Sequence, residues 1–161
     1  LKHVEFKNIY EDNYPKVMRL CLGYCNGNEP QAKDLAQEVF IKVWDNLKTF
    51  RQEASLSTWI YRITVNTCLV HIRNSKKTMF SSEMPNPIES KLDDSKEHIE
   101  FKFKQLYACI NKLNVDNKAI ILLELEGLQQ KEIAEIMGLT HEAIRVRIHR
   151  IKNELTKCVK Q

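Results

Sequence analysis

Three observations predict an all-α protein made of two small helical domains joined by a flexible linker. Over most of the chain apolar residues recur at spacings of three and four instead of alternating. Glycine and proline are scarce, at four each in 161 residues, which favours long uninterrupted elements. The stretch SKKTMFSSEMPNPIESKLDDSKEH, residues 75–98, carries two prolines and five serines without sustained periodicity. It is too long and too polar for a connection inside one compact unit, so it reads as a linker between a domain at 1–74 and another at 99–161.

The elements follow in order. A first helix runs from about Val4 to Cys25, kinked or interrupted near Pro15, and ends at the turn residues NGNEP. A second, about Glu29 to Lys48, gathers Ala32, Ala36, Val39, Val43 and Leu47 on one face and leaves Asp34, Gln37, Glu38 and Asp45 away from it. After the loop TFRQEASLS, a third helix starts at Ser57 as N-cap and runs to about Asn74, with Ile60, Ile63, Thr67 and Val70 inward. In the second domain, Ile99, Phe103, Leu106, Ile110 and Leu113 form an unbroken apolar series. The segment NVDNK ends that helix and offers Asp116 as the next N-cap, and AIILLELEG is a short buried helix stopped by Gly127.

The last segment, LQQKEIAEIMGLTHEAIRVRIHRIKNEL, has the spacing of a helix-turn-helix. A short helix turns Ile133, Ala134 and Met137 inward, Gly138 tolerates the positive φ of the turn, and Thr140 caps a second helix. At about 100° per residue, Ile148, Ile151 and Leu155 fall within about 40° of Ile144 and make the buried stripe. The opposite face carries Glu142, Val146, His149, Arg150 and Asn153, flanked by Arg145 and Arg147. A basic helix face is ordinarily a solvated one, but within a helix-turn-helix it suits a DNA major groove. There Arg145 and Arg150 reach phosphates or guanine edges, and Val146 meets a thymine methyl.

Charge and cysteine usage bound the remaining possibilities. Residues 1–74 hold 10 Lys/Arg against 8 Asp/Glu, residues 75–100 hold 4 against 6, and residues 101–161 hold 11 against 7. Two basic blocks therefore flank an acidic connector. The segment LKHVEFKNIYEDNY lacks the apolar core of a signal peptide, and no run approaches a membrane span, so a cytoplasmic location is expected. Cys21, Cys25, Cys68, Cys109 and Cys158 are odd in number and scattered among apolar neighbours, which reads as reduced, buried thiols. Core packing is preferred over a metal site at Cys21 and Cys25. The histidines at 3, 71, 98, 141 and 149 are dispersed, and no nucleophile–base grouping, P-loop or metal-ligand spacing appears. No catalysis, cofactor, metal or small-molecule substrate is expected.

A helix-turn-helix alone does not name a function. The upstream text DLAQEVFIKVWDNLKTFRQEASLSTWIYRITVNTCLVHIRN closely resembles the second conserved region of the bacterial sigma-70 family, and LLELEGLQQKEIAEIMGLTHEAIRVRIHR resembles its fourth. The two lie in the family's order and cover most of the chain. The short connector is similar to that of the extracytoplasmic-function (ECF) group.

The resemblance implies an RNA polymerase sigma factor that binds core polymerase at the β′ clamp and β flap, recognises −35 and −10 promoter elements, and is held inactive by an anti-sigma factor. For clamp docking it implies Asp34, Gln37, Glu38 and Trp44, acidic and amide groups with an aromatic anchor. For the −10 element and capture of an unstacked base it implies Phe50, Arg51, Ser55, Trp59, Tyr61, Arg62, Asn66 and Arg73. Trp59 and Asn66 are equally open to a core role. For the −35 element it implies Thr140, His141, Glu142, Arg145, Val146, His149 and Arg150. Val146 departs from the small hydroxyl residue that many relatives carry there. Asp93, Asp94 and nearby glutamates suit either a connector that mimics nucleic acid by its charge or a solvated tether. The alternative reading is a stand-alone helix-turn-helix regulator that binds duplex DNA without polymerase.

Overall fold

The computed structural model describes residues 2–77 and 94–161, which form seven α-helices and no strand among the described residues. In the first unit α1 (Lys2–Tyr24), α2 (Glu29–Asn46) and α3 (Leu56–Lys77) pack around Val17, Leu20, Val39, Val43, Ile60 and Cys68. Helix α1 continues through Pro15 without interruption. Asn28 caps α2 by accepting from the Gln31 N–H at 3.1 Å, and a 3-10 turn at Leu47–Thr49 follows it. Helix α3 starts one residue before Ser57. Its cap is Ser55, whose Oγ accepts from the Thr58 N–H at 3.1 Å, while Ser57 lies within the first turn.

In the second unit α4 (Asp94–Asn111), α5 (Val115–Leu125), α6 (Gln130–Met137) and α7 (His141–Lys160) surround Ile110, Ile120, Leu123, Ile133, Ile144, Ile148 and Ile151. The cap of α5 is Asn114, which accepts from the Asn117 N–H at 2.8 Å; Asp116, the expected cap, is already helical. Helix α3 extends to Lys77 and α4 begins at Asp94, so helix takes up both ends of the expected linker. Asp93 lies outside the described residues.

Two apolar assignments change because a helix outlasts its packing partner. Ile99 and Phe103 are 55% and 54% exposed, and the buried residues of this stretch, Cys109, Ile110 and Leu113, lie at the end of α4 or just past it. Val70 is 48% exposed near the end of α3, although Ile60 and Thr67 are buried as expected.

The cysteine expectation also needs correction. Cys21, Cys25 and Cys68 are free and buried, but Cys109 and Cys158 form a disulfide that ties α4 to the end of α7. They are 49 residues apart in sequence and are neighbours only because α4 packs against α7.

The two units dock through α1 on α5 and α3 on α6. Residues toward the end of α1 meet three α5-side positions in antiparallel order. Arg19 Nε donates to Glu126 Oε1 at 2.8 Å, Gly23 lies against Leu122, and Lys118 Nζ donates to the Tyr24 carbonyl and to Asn26 Oδ1 at 3.4 and 3.3 Å. A side chain at 23 would take the space of Leu122, so glycine there permits the close approach. Lys118 is only 7% exposed, and burial lowers its pKa. Its ammonium caps orphan carbonyl capacity at the α1 C-terminus.

Candidate nucleic-acid interface and docking face

Helix α7 is built to present one face. Thr140 Oγ1 accepts from the Ala143 N–H at 3.1 Å and fixes where the helix begins. Gly138 takes the left-handed conformation, φ +69°, that turns the chain from α6 into α7. Ile144, Ile148, Ile151 and Leu155 are buried, so the side opposite them must face solvent.

On that side His141, Glu142, Arg145, Val146, His149, Arg150 and Asn153 are all exposed. A concavity of about 350 Å³ is lined by Gln130, Arg145, Val146, His149, Arg150 and Lys152 among others. Glu142 approaches Arg145 at 3.7 Å, but both are well exposed, so the pair holds the guanidinium only weakly. Lys152 is tied to Glu124 at 3.0 Å, which leaves the other basic groups to supply the face's adaptable charge.

Gln130, at the start of α6, was not singled out from the sequence. The signal was its position in the first turn of the leading helix of the turn motif, which faces the groove side of α7.

On α3, Arg62, Asn66 and Arg73 are exposed and share one stripe, while Thr64 and Thr67 point into the core. Phe50 and Trp59 pack with ring centroids 5.0 Å apart, both partly buried, so the loop before α3 is closed by an aromatic pair beside the exposed Arg51. The Ser55 hydroxyl is committed to Thr58, by the cap and by a 2.8 Å bond to Thr58 Oγ1. Tyr61 stands apart from the stripe. It is 6% exposed beside Arg19 and Glu126, and its pKa is pushed up to about 12 by burial first and Glu126 second. Arg62 donates to the Glu135 carbonyl of α6 at 2.8 Å, which occupies part of its guanidinium in the docked arrangement.

Helix α2 turns Asp34, Gln37, Glu38 and Asp45 to solvent, with Trp44 39% exposed at the edge toward α1. Glu38 pairs with Lys42 at 3.4 Å, and Lys42 Nζ also donates to Thr67 Oγ1 on α3. In the middle of this acidic face stands Ile41, 59% exposed. Sequence reasoning missed it, although it lies at i+3 and i+7 from Glu38 and Asp34, an apolar side chain among charges. The face combines negative charge with a desolvable centre, the composition of a protein-docking surface.

Family models match both units. The family model for sigma-70 region 2 matches residues 9–78, and that for sigma-70 region 4 matches residues 103–155. The ECF RNA polymerase sigma-E factor of Haemophilus influenzae is 32% identical over 149 residues, covering 85% of this chain and 78% of the relative. The chain belongs to the ECF group of the sigma-70 family. The RNA polymerase sigma factor YlaC of Bacillus subtilis is 28% identical over 163 residues, covering 98% of this sigma factor and 94% of that one. Among solved structures, the sigma factor RpoE in complex with the anti-sigma factor NepR from Bartonella quintana superposes with a TM-score of 0.73 at 22% identity over 97% of both chains. CnrH in complex with the cytosolic domain of CnrY gives 0.71 at 19% identity over 96% of this chain and 87% of that one. The two-unit helical fold of this sigma factor is therefore shared with those chains.

Proposed function

We propose that this ECF sigma factor docks on core RNA polymerase through the solvent face of α2, with Asp34, Gln37 and Glu38 around Ile41 and Trp44 at the rim. It directs polymerase to promoters by binding, not by catalysis, and acts in the cytoplasm. Among the described residues no helix is long and apolar enough to cross a membrane. The −35 element is read by α7 through Arg145, Val146, His149 and Arg150, with Thr140, His141 and Glu142 at the helix start. The −10 element is read by the α3 stripe Arg62, Asn66 and Arg73, with Phe50, Arg51 and Trp59 holding an unstacked base and Ser55 fixing the start of α3 beside them. Tyr61 contributes by supporting α3 from inside, because it is buried.

The observation that carries this reading is the pairing of two faces on one chain. An acidic, partly apolar docking face lies in the first unit and a basic helix-turn-helix face in the second, in the family's order. A stand-alone regulator has no use for the first. Arg62 spends part of its guanidinium on the Glu135 carbonyl in the docked arrangement, so a parting of α3 from α6 would free all of its donors for promoter DNA. An anti-sigma factor, the partner bound to RpoE in the Bartonella quintana complex, would act here by favouring the docked arrangement.

Titrating the labelled chain with bacterial core polymerase tests the docking. Saturable binding weakened by Ile41→Lys, which alters only a solvent-facing side chain, is the expected result. No saturable binding, together with tight unaided binding to a duplex, would transfer the protein to the stand-alone class.

A further inference from the structure

Helix α4 buries little of itself in the second unit. Among its described side chains only Cys109 and Ile110 are buried and Leu106 is partly so, while Ile99, Phe101, Phe103 and Tyr107 are exposed. One of the two buried anchors is therefore the cysteine bonded to Cys158. Cys158 comes three residues after Leu155, so it continues the inward stripe of α7 toward the end of that helix, where it is partly exposed. Exposed Lys157 and Lys160 flank it in sequence, with exposed Glu154 one turn earlier, and exposed Lys112 lies one turn beyond Cys109. The other cysteines lack this setting. Cys21 and Cys68 are 0% exposed, and burial pushes the Cys25 thiol up to about 11, which keeps it protonated.

We propose that Cys109 and Cys158 are a reversible redox pair that fastens α4 to α7 when oxidised and loosens it when reduced. This rests on the cytoplasmic location proposed above. Cytoplasmic thiol pools keep cysteines reduced, so a disulfide formed there is a transient or sensing bond and not a permanent staple. Exchange begins at the partly exposed sulfur of Cys158. Its thiolate attacks a low-molecular-weight disulfide, which forms a mixed disulfide and releases one small thiolate. The Cys109 thiolate then attacks the Cys158 sulfur, which closes the protein bond and releases the second. The protein gives up two electrons and two protons, and the small disulfide leaves as two thiols. An anionic small thiol suits the lysines around Cys158. The effect falls on α4. With the bond open, Ile110 is the one buried aliphatic side chain of its described residues, whereas α5, α6 and α7 keep a core of Ile120, Leu123, Ile133, Ile144 and Ile148.

The full chain is equilibrated in glutathione buffers running from fully reduced to fully oxidised. The bond is counted by alkylating free thiols and weighing the peptides, and hydrogen exchange of residues 94–108 is followed in the same buffers. The bonded fraction should rise from none to nearly all between the two extremes, and amide exchange in 94–108 should slow about tenfold as it does. Cys158→Ser, a change at a partly exposed position, should exchange at the reduced rate in every buffer, and Cys21→Ala should follow the parent. A bond that persists in excess reduced glutathione is a permanent staple, and one that never forms in oxidised glutathione is no pair; either result overturns the proposal. A bond that titrates without changing exchange in α4 overturns the fastening role. Titration with core polymerase in both extreme buffers reads the premise separately, since no saturable binding in either removes the sigma-factor reading on which the cytoplasmic location rests.

Discussion

Gly23→Leu should undock the two units without unfolding either. A Cβ at Gly23 would lie 2.7 Å from Leu122 Cδ2 and 3.0 Å from Cδ1. Alanine is the milder change, because the tip of the Leu122 side chain can move aside to relieve the 2.7 Å approach and a helix gains about 1 kcal/mol when alanine replaces glycine. Leucine adds three more carbons to a contact that is already closed, at about 1–3 kcal/mol for overpacking. The contact it abuts is of similar size: burial of Leu122 contributes about 1.5–3 kcal/mol, and the Arg19–Glu126 pair, half-exposed on the arginine side, adds about 1 kcal/mol.

Opening therefore competes with strain, and each unit keeps its own core. Small-angle scattering is the assay. A single compact body of this length has a radius of gyration near 15 Å, and Gly23→Leu should exceed the parent by several ångströms at unchanged helical content, while Gly23→Ala matches the parent. An unchanged radius in Gly23→Leu, with circular dichroism intact, would refute the claim that docking needs the α1–α5 contact and would leave α3 on α6 as sufficient.

Three further outcomes follow from the same structure. Thr140→Ala removes the cap on α7 and should lower the stability of the second unit by about 1 kcal/mol, read as a shift in its urea midpoint, with weaker binding to −35 duplexes in the holoenzyme. Reducing the Cys109–Cys158 disulfide, or replacing Cys109 with Ser, should cost the second unit about 4 kcal/mol on the chain-entropy account for a 49-residue separation, seen as a lower melting temperature that Cys21→Ala does not reproduce. Burial raises the Tyr61 pKa from 10.0 to about 12, so the folded state holds its proton longer than the unfolded chain does. The Tyr61 contribution is complete below pH 10 and is lost as pH rises toward 12. Tyr61→Phe should therefore gain stability relative to the parent across that window, measured by urea unfolding at each pH. A constant difference between the two would mean that Tyr61 titrates freely. The variant comparison isolates Tyr61 from Lys118, whose lowered pKa acts with the opposite sign.

The helices were legible wherever an apolar stripe met a partner along its whole length. Ile144, Ile148, Ile151 and Leu155 show this, and the solvent face of α7 follows from them by geometry alone. Periodicity failed where a stripe ran past its partner, as at Ile99, Phe103 and Val70, because spacing reports a face and not what covers it. Cap positions slipped at Ser55 and Asn114, where a neighbouring residue of equal capping ability stood within two positions. The Cys109–Cys158 bond and the buried Lys118 were invisible for another reason. Both depend on contacts between segments far apart in sequence, 49 residues for the disulfide and 94 for Lys118 with Tyr24. Ile41 was readable and overlooked, since an apolar residue in a charged face was weighed at Val146 but not on α2.

The most direct test of the central claim is transcription itself. The purified chain is mixed with bacterial core polymerase and a promoter library, and transcript start sites are sequenced. The account predicts transcripts from a discrete set of promoters sharing −35 and −10 elements, abolished by Ile41→Lys and redirected at one −35 position by Val146→Ser. Transcripts no different from those of core polymerase alone, with the chain bound unaided to a duplex site, would contradict it.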